Sequence, residues 1–343
     1  MSDIKGDYMS DAIAVIIPVY NIGNQLGAFE QCINSVKFQS YDNWKIYIVD
    51  DGSTDSTSNI LDKMQKDGRI FVRHTSNQGH IYARKEAIDM VSGCKYITFI
   101  DADDYFIDSN LFINAIKEMN EYQVDILSFN VCYEKGTWFQ EKKRVIYDNN
   151  RQMIGGMLTS TITDGNVCGS IYRTEIVKEN WVLSDYNNDD YLCKFAILSN
   201  ASRFVYEPWK GYMYCNVNVA SLTHKSIKDN DYLYYKHAKE LTDNIKKTYP
   251  DLEEEGDYFR YRILIYLAFR LKAERNTNSK IFEQTEKEIK ENKNRIKLNS
   301  YLKWSDKIKL LVIERNFIYT LYFLYRKVKG LLMWTYSLSH GTE

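Results

Sequence analysis

At 343 residues the chain is long for a single small core, which calls for one large domain with a smaller appendage. Hydrophobic residues make up 44% and charged residues 27%, an ordinary balance for a folded chain, and the formal net charge of −1 leaves no overall field to draw a nucleic acid. The six cysteines stand apart with no Cys-x-x-Cys pair, which fits reduced, buried thiols rather than a disulfide framework or a zinc site.

The N-terminus is polar and acidic, without an apolar signal segment. No run reaches the roughly 18–20 apolar residues of a membrane span, so the expected location is cytoplasmic. Ala14-Val-Ile-Ile-Pro-Val19 then reads as a buried strand. Leu26, Phe29, Ile33 and Val36 recur at three- and four-residue spacing, so a helix follows. Trp44 to Val49 gives a second strand, Asp50 to Asp55 a turn rich in helix-capping residues, and Ile60, Leu61 and Met64 a helix. Arg69 to Arg73 reads as strand, Tyr82 to Val91 as helix, Lys95 to Ile100 as a third strong strand, and Val124 to Asn130 as another.

Strands alternating with helices call for an α/β fold with a mostly parallel central sheet flanked by helices. Beyond about Ser221 the strand signal fades, and Tyr258, Ile263, Tyr266 and Phe269 follow helical spacing. The expected division is therefore an α/β domain over residues 1–223 and a helical subdomain over 224–343.

Ligands of such sheets bind beyond the carboxyl ends of the strands. Two acidic clusters, Asp50-Asp51 and Asp101 to Asp104, fall on that edge. Alternate residues of an extended segment point the same way, so Asp101 and Asp103 are expected to converge. Carboxylates brought together repel, and Mn2+ or Mg2+ shared with substrate phosphates relieves the repulsion. An isolated Asp-x-Asp is more often a solvated turn. The Asp50 to Asp55 cluster also serves as a cap, yet capping needs no pair of consecutive aspartates, so one of them suits a nucleobase or ribose.

Val15-Ile-Ile-Pro-Val-Tyr-Asn21, Val49-Asp-Asp-Gly-Ser-Thr-Asp55, Asn77-Gln-Gly79 with Ala83-Arg84, and Phe99-Ile-Asp-Ala-Asp-Asp104 occur together in the first third of the chain. In their order and spacing they resemble the family 2 glycosyltransferases, inverting enzymes of the GT-A fold found in bacterial polysaccharide synthesis. The resemblance implies metal-dependent transfer from a nucleotide diphosphate sugar, a UDP-sugar, to the hydroxyl of a glycan or lipid-linked acceptor. The implied enzyme is of the hexosyl- or N-acetylhexosaminyltransferase type. Asp51 is then the contact to uracil, Arg84 a nucleotide contact, Asp101 the ribose contact and Asp103 the metal ligand. Pro18, Tyr20 and Ala102 lie in the same motifs and join the nucleotide site.

The family's aromatic-Asn-Lys-Leu-Tyr-Arg segment has its counterpart in Cys168-Gly-Ser-Ile-Tyr-Arg173, which keeps Tyr172 and Arg173 but lacks the lysine. The family's acidic pair before an apolar helix matches Asn188-Asp189-Asp190-Tyr191-Leu192, with Asp190 at the catalytic base and Asp189 the next choice. His224 is a candidate metal ligand or phosphate contact. Tyr206, Trp209, Tyr212 and Tyr214 read as core more than as a platform for a sugar ring, and His74 and His80 show no partner. A nucleotidyltransferase would carry a basic residue in its phosphate loop, and Asn21 to Gly27 has none. The missing lysine leaves a non-catalytic nucleotide-sugar binder or assembly protein as the alternative.

Between Tyr301 and His340 seven basic residues face only Asp306 and Glu314. Leu310, Ile313, Phe317, Leu321 and Leu324 recur there at helical spacing. A basic-flanked apolar stripe suits an anionic membrane surface, or else packing within the chain or in a homo-oligomer through the C-terminal helices.

Overall fold

Strand β1 (Ile13–Val19) is buried throughout except at Pro18, as an apolar run with neighbours on both faces should be. The computed structural model describes residues 11–133, 136–137, 141–186, 190–215 and 226–314. Strands β2 (Trp44–Asp51), β3 (Ile70–Thr75) and β4 (Tyr96–Phe99) run parallel with β1, and Val15 pairs with Ile46 on one side and Thr98 on the other. Short β5 (Tyr105–Phe106), β6 (Ile126–Tyr133), β7 (Gly136–Thr137), β8 (Val145–Tyr147), β9 (Ser170–Arg173) and β10 (Phe204–Met213) complete the sheet. Its order is β3-β2-β1-β4-β9-β6-β10-β5, with β7 on β6 and β8 on β10.

The chain leaves β1 through α1 (Leu26–Lys37) to β2, and through α2 (Thr57–Met64) to β3. Helix α3 (His80–Met90) then carries it back to β4 on the opposite flank of β1. The direction of winding reverses there, which opens a crevice beyond the ends of β1 and β4. Helix α3 begins two residues earlier than the apolar pattern predicts, directly after Gly79, whose φ of +97° ends the preceding extended segment.

Helices α4 (Leu111–Glu121), α5 (Asn150–Thr159), α6 (Thr174–Asn180) and α7 (Asp190–Asn200) follow in the same unit. The predicted parallel order holds for β1 to β4 and for β6 with β10, but β9 runs antiparallel to both β4 and β6. Because β9 starts where β4 ends, the segment 164–169 before it lies at the same edge as Asp101. That reversal places Cys168 and its neighbours beside the acidic motif.

Contacts divide the chain into two compact units, Met1–Lys225 and Ser226–Glu343. In the second, α9 (Glu253–Ala273) is central and packs against α8 (Tyr232–Thr248), α10 (Lys280–Glu291), α11 (Lys293–Leu298) and α12 (Trp304–Glu314). Tyr258 and Ile263 are buried as their spacing suggests, whereas Tyr266 is exposed and accepts a hydrogen bond from Arg270 at 2.8 Å. Leu310, Val312 and Ile313 of α12 are buried. No helix among the described residues is long and apolar enough to cross a membrane. Phe317 and the rest of the expected stripe lie outside the described residues.

Candidate active site

The ends of β1 and β2 are laced together by the residues of their own motifs. Asn21, with φ +51°, donates its N–H to Ser53 Oγ at 2.9 Å and accepts Thr54 N–H on its side-chain oxygen at 2.8 Å. Gly23 N–H reaches Asp55 at 2.8 Å. Asp50 is buried and accepts from Ser53 N–H, Ser58 Oγ and His74 Nδ1. Asp51 is also buried, and its two oxygens accept the backbone N–H groups of Gln78 and Gly79, each at 2.7 Å. Each oxygen keeps further acceptor capacity. Pro18 is half-buried and Tyr20 is exposed beside them.

Arg84 is the centre of charge. It projects from α3 with only 2% of its side chain exposed, and one guanidinium serves two carboxylates. Its Nη2 donates to Asp101 Oδ1 at 2.6 Å, and its Nη1 to Asp190 Oδ1 and Oδ2 at 2.9 and 3.1 Å. The Arg84 Nε–H is buried and has no partner among the described residues. His80, one turn earlier on α3, brings Nε2 to 3.3 Å from Asp190 Oδ1. Burial opposes ionisation of Asp190, but Arg84 and His80 outweigh it and hold the carboxyl below its usual range. Asp190 is therefore an anion at neutral pH. It stands in the first turn of α7, where the helix dipole also favours a negative charge.

The acidic motif is not extended. Asp104 N–H donates to Asp101 O at 3.0 Å, so residues 101–104 form a turn, and the alternate-residue argument for Asp101 and Asp103 does not apply. Asp104 points inward and accepts from Tyr212 Oη and from Cys215 N–H. Burial, with Asp101 close by, pushes its carboxyl up to about 8. Asp101 and Asp103 are part-exposed, as is Ala102. Among the described residues no three His, Cys, Asp or Glu side chains gather to cage a metal. The hard oxygens of Asp101 and Asp103 suit Mg2+ or Mn2+, which takes one or two carboxylates and completes its shell from phosphate and water.

Tyr206 and Tyr212 are core, fully buried in β10, and the Tyr212 hydroxyl also accepts Asp101 N–H at 3.2 Å. Trp209 and Tyr214 are half-buried. Asp189 and His224 lie outside the described residues. The sequence reading missed His80, although it sits four residues before Arg84 and so shares its helix face. It missed Lys194 too, placed four residues after Asp190. His74, also left without a partner, bonds Asp50 and Asp62.

Residues 14–181 match the family model described as glycosyl transferase family 2. The chain carries a glycosyl transferase family 2 domain over those residues. It is 31% identical over 228 residues to the glycosyltransferase GlyA of Streptococcus pneumoniae, a match covering 66% of this chain but only 30% of GlyA. YibD of Escherichia coli, an uncharacterized glycosyltransferase, is 26% identical over 71% of this chain and 73% of its own length. Among solved structures, Staphylococcus aureus TarS 1–349 in complex with UDP-GlcNAc superposes with a TM-score of 0.57 at 20% identity, over 76% of this chain and 73% of that one. That likeness gives the family 2 domain the GT-A fold expected from its motifs.

Proposed function

We propose that the chain transfers a sugar from a UDP-sugar to the hydroxyl of a glycan acceptor, with inversion. One observation carries the reading. Arg84 draws Asp101 and Asp190, far apart in sequence, to a single point at the carboxyl edge of the sheet, where ligands of this fold bind. The family, and the UDP-GlcNAc held by TarS, support a nucleotide sugar as donor.

In this reading Asp51 and the loop it holds line the nucleoside subsite, with Pro18, Tyr20 and Ala102 around it. Arg84 acts here by holding Asp101 and Asp190 in place rather than by meeting the diphosphate, since its own side chain is buried. Asp190 accepts the proton of the acceptor hydroxyl as that oxygen bonds to the anomeric carbon from the face opposite UDP. The bond from that carbon to the diphosphate breaks, and UDP leaves with the electron pair. Asp103 would hold Mg2+ or Mn2+, which when bound would supply positive charge to the departing diphosphate. A positioned base contributes about 10²–10⁴ in rate.

UDP-sugars supplied with Mn2+ and an extract containing acceptor glycans test the reading. Released UDP together with label in glycan supports it, whereas binding without UDP release points to a nucleotide-sugar binder of the same fold.

A membrane-borne acceptor is favoured by a second observation. Leu298, Trp304 and Leu311 of the helical unit are 83%, 75% and 42% exposed, with Lys297, Lys303 and Lys307 beside them in sequence. Apolar and aromatic side chains among lysines suit the headgroup region of an anionic bilayer, so the second unit is read as a peripheral membrane contact.

A further inference from the structure

One buried amine takes no part in the transfer just described. Lys194 is fully buried on α7, one turn past Asp190. Its Nζ donates to Tyr172 Oη at 2.8 Å and to Ser170 Oγ at 2.9 Å. Tyr172 Oη in turn donates to Val167 O at 2.7 Å, and Ser170 Oγ lies 2.6 Å from Ser128 Oγ. Lys194 thus ties α7 both to β9 and to the segment entering β9. That segment touches α7 at a second point. A Cβ on Gly165 would lie 2.5 Å from Tyr191 Cβ, so the backbone there rests on the first turn of the helix. Cys168, between these two points, is close enough to Arg84, Asp101 and Asp190 to feel their charges.

Burying an amine among hydroxyls is costly, and an apolar side chain of similar size would fill the same space with less penalty. Burial pushes the Lys194 amine down to about 7, with Asp164 and Cys168 drawing it back up. Ser170 occupies the place in Cys168-Gly-Ser-Ile-Tyr-Arg173 where the family segment has its lysine. The amine missing from that strand arrives instead from the helix that carries Asp190.

We propose that Lys194 is a positioning residue for the transfer reaction, a lysine relocated from β9 to α7 that fixes Asp190 one helical turn above it. This rests on Asp190 being the base.

The test uses the full chain with ¹⁵N-labelled histidine. His80 touches Asp190, so its ring resonances are expected to move in Lys194→Met while those of His74 and His237 stay. The exchange variant, Ser170→Lys with Lys194→Ser, is expected to bring them back toward the parent. With UDP-GlcNAc as probe and UDP release as readout, Lys194→Met should lose about tenfold to a hundredfold in kcat at unchanged KM. The exchange should recover part of that loss, which a merely structural lysine would not do. His80 resonances that stay in place in Lys194→Met overturn the proposal, as does a folded exchange variant that restores neither readout. A parent chain that releases no UDP from any UDP-sugar offered with Mn2+ and the acceptor extract overturns the transfer reading alone, because the His80 resonances report on Asp190 without turnover. Should Lys194→Met fail to fold, Tyr172→Phe removes one acceptor, keeps the ring and carries the same two readouts.

Discussion

Arg84 answers for two carboxylates, and its loss would leave Asp190 as a mostly buried anion with His80 as its remaining cationic neighbour among the described residues. Breaking a buried pair from one side costs about 3–5 kcal/mol, so Arg84→Met is expected to lower the urea midpoint sharply. Asp190→Asn changes charge at nearly constant shape. It should bind UDP and Mn2+ as the parent does yet lose transfer by about 10²–10⁴, read as UDP release beside a binding isotherm. Lys194 sets a pH signature. Burial holds its amine at about 7 when folded, against 10.5 unfolded, so the unfolded chain binds more protons between those values. This group's cost to stability is therefore full below pH 7 and fades as pH rises toward 10.5. Urea midpoints at pH 7 and pH 9 should show that rise in the parent and lose it in Lys194→Met. Motif spacing singled out Arg84, Asp101 and Asp190 one by one as candidates, and the structure brings their side chains together. That one guanidinium joins them was not legible, because 106 residues separate Arg84 from Asp190.

Strands β1, β2 and β4 could be read from sequence because each is a short apolar run buried on both faces. Strand β3, with only Ile70 buried, could be read from its β-branched and aromatic start. The direction of β9 could not. A four-residue strand carries no mark of which way it runs, and only its pairing with β4 and β6 shows the reversal. The acidic motif was misjudged as extended for a related reason, since the Asp104-to-Asp101 hydrogen bond that folds it is a backbone interaction blind to side-chain type. The turn after β2 combines both kinds of constraint. Gly52 has φ +70°, and a Cβ there would lie 2.6 Å from Asn77 N. Gly52→Ala is expected to cost about 1–3 kcal/mol, and more where Asn77 cannot yield, measured by urea unfolding. The damage should extend to nucleotide binding, because Asp51 holds residues 78–79 from the same turn.

For the whole molecule, a ligand that binds only the folded state stabilises it by mass action. UDP with Mn2+ at a hundredfold excess over Kd should add about 2.7 kcal/mol, seen as a raised Tm, and Asp103→Ala should remove most of the metal-dependent part. Leu298→Ser with Trp304→Ser replaces exposed side chains only, so it tests the membrane reading without emptying a core. The parent should float with anionic vesicles at low salt and the double variant should not; a parent that stays at the bottom of the gradient rules the contact out. The Arg84 clamp also bears on how the chain acquires its site during synthesis. Its pair with Asp101 closes a loop of 17 residues and its pair with Asp190 one of 106, so the second closure costs about 1.6 kcal/mol more chain entropy. A growing chain has the half of the crevice proposed to bind nucleotide within reach well before α7 has been made. Until then the guanidinium holds one carboxylate and offers its other edge to any passing anion. Nascent chains, and variants that loosen α7, should therefore capture nucleotide while unable to turn it over.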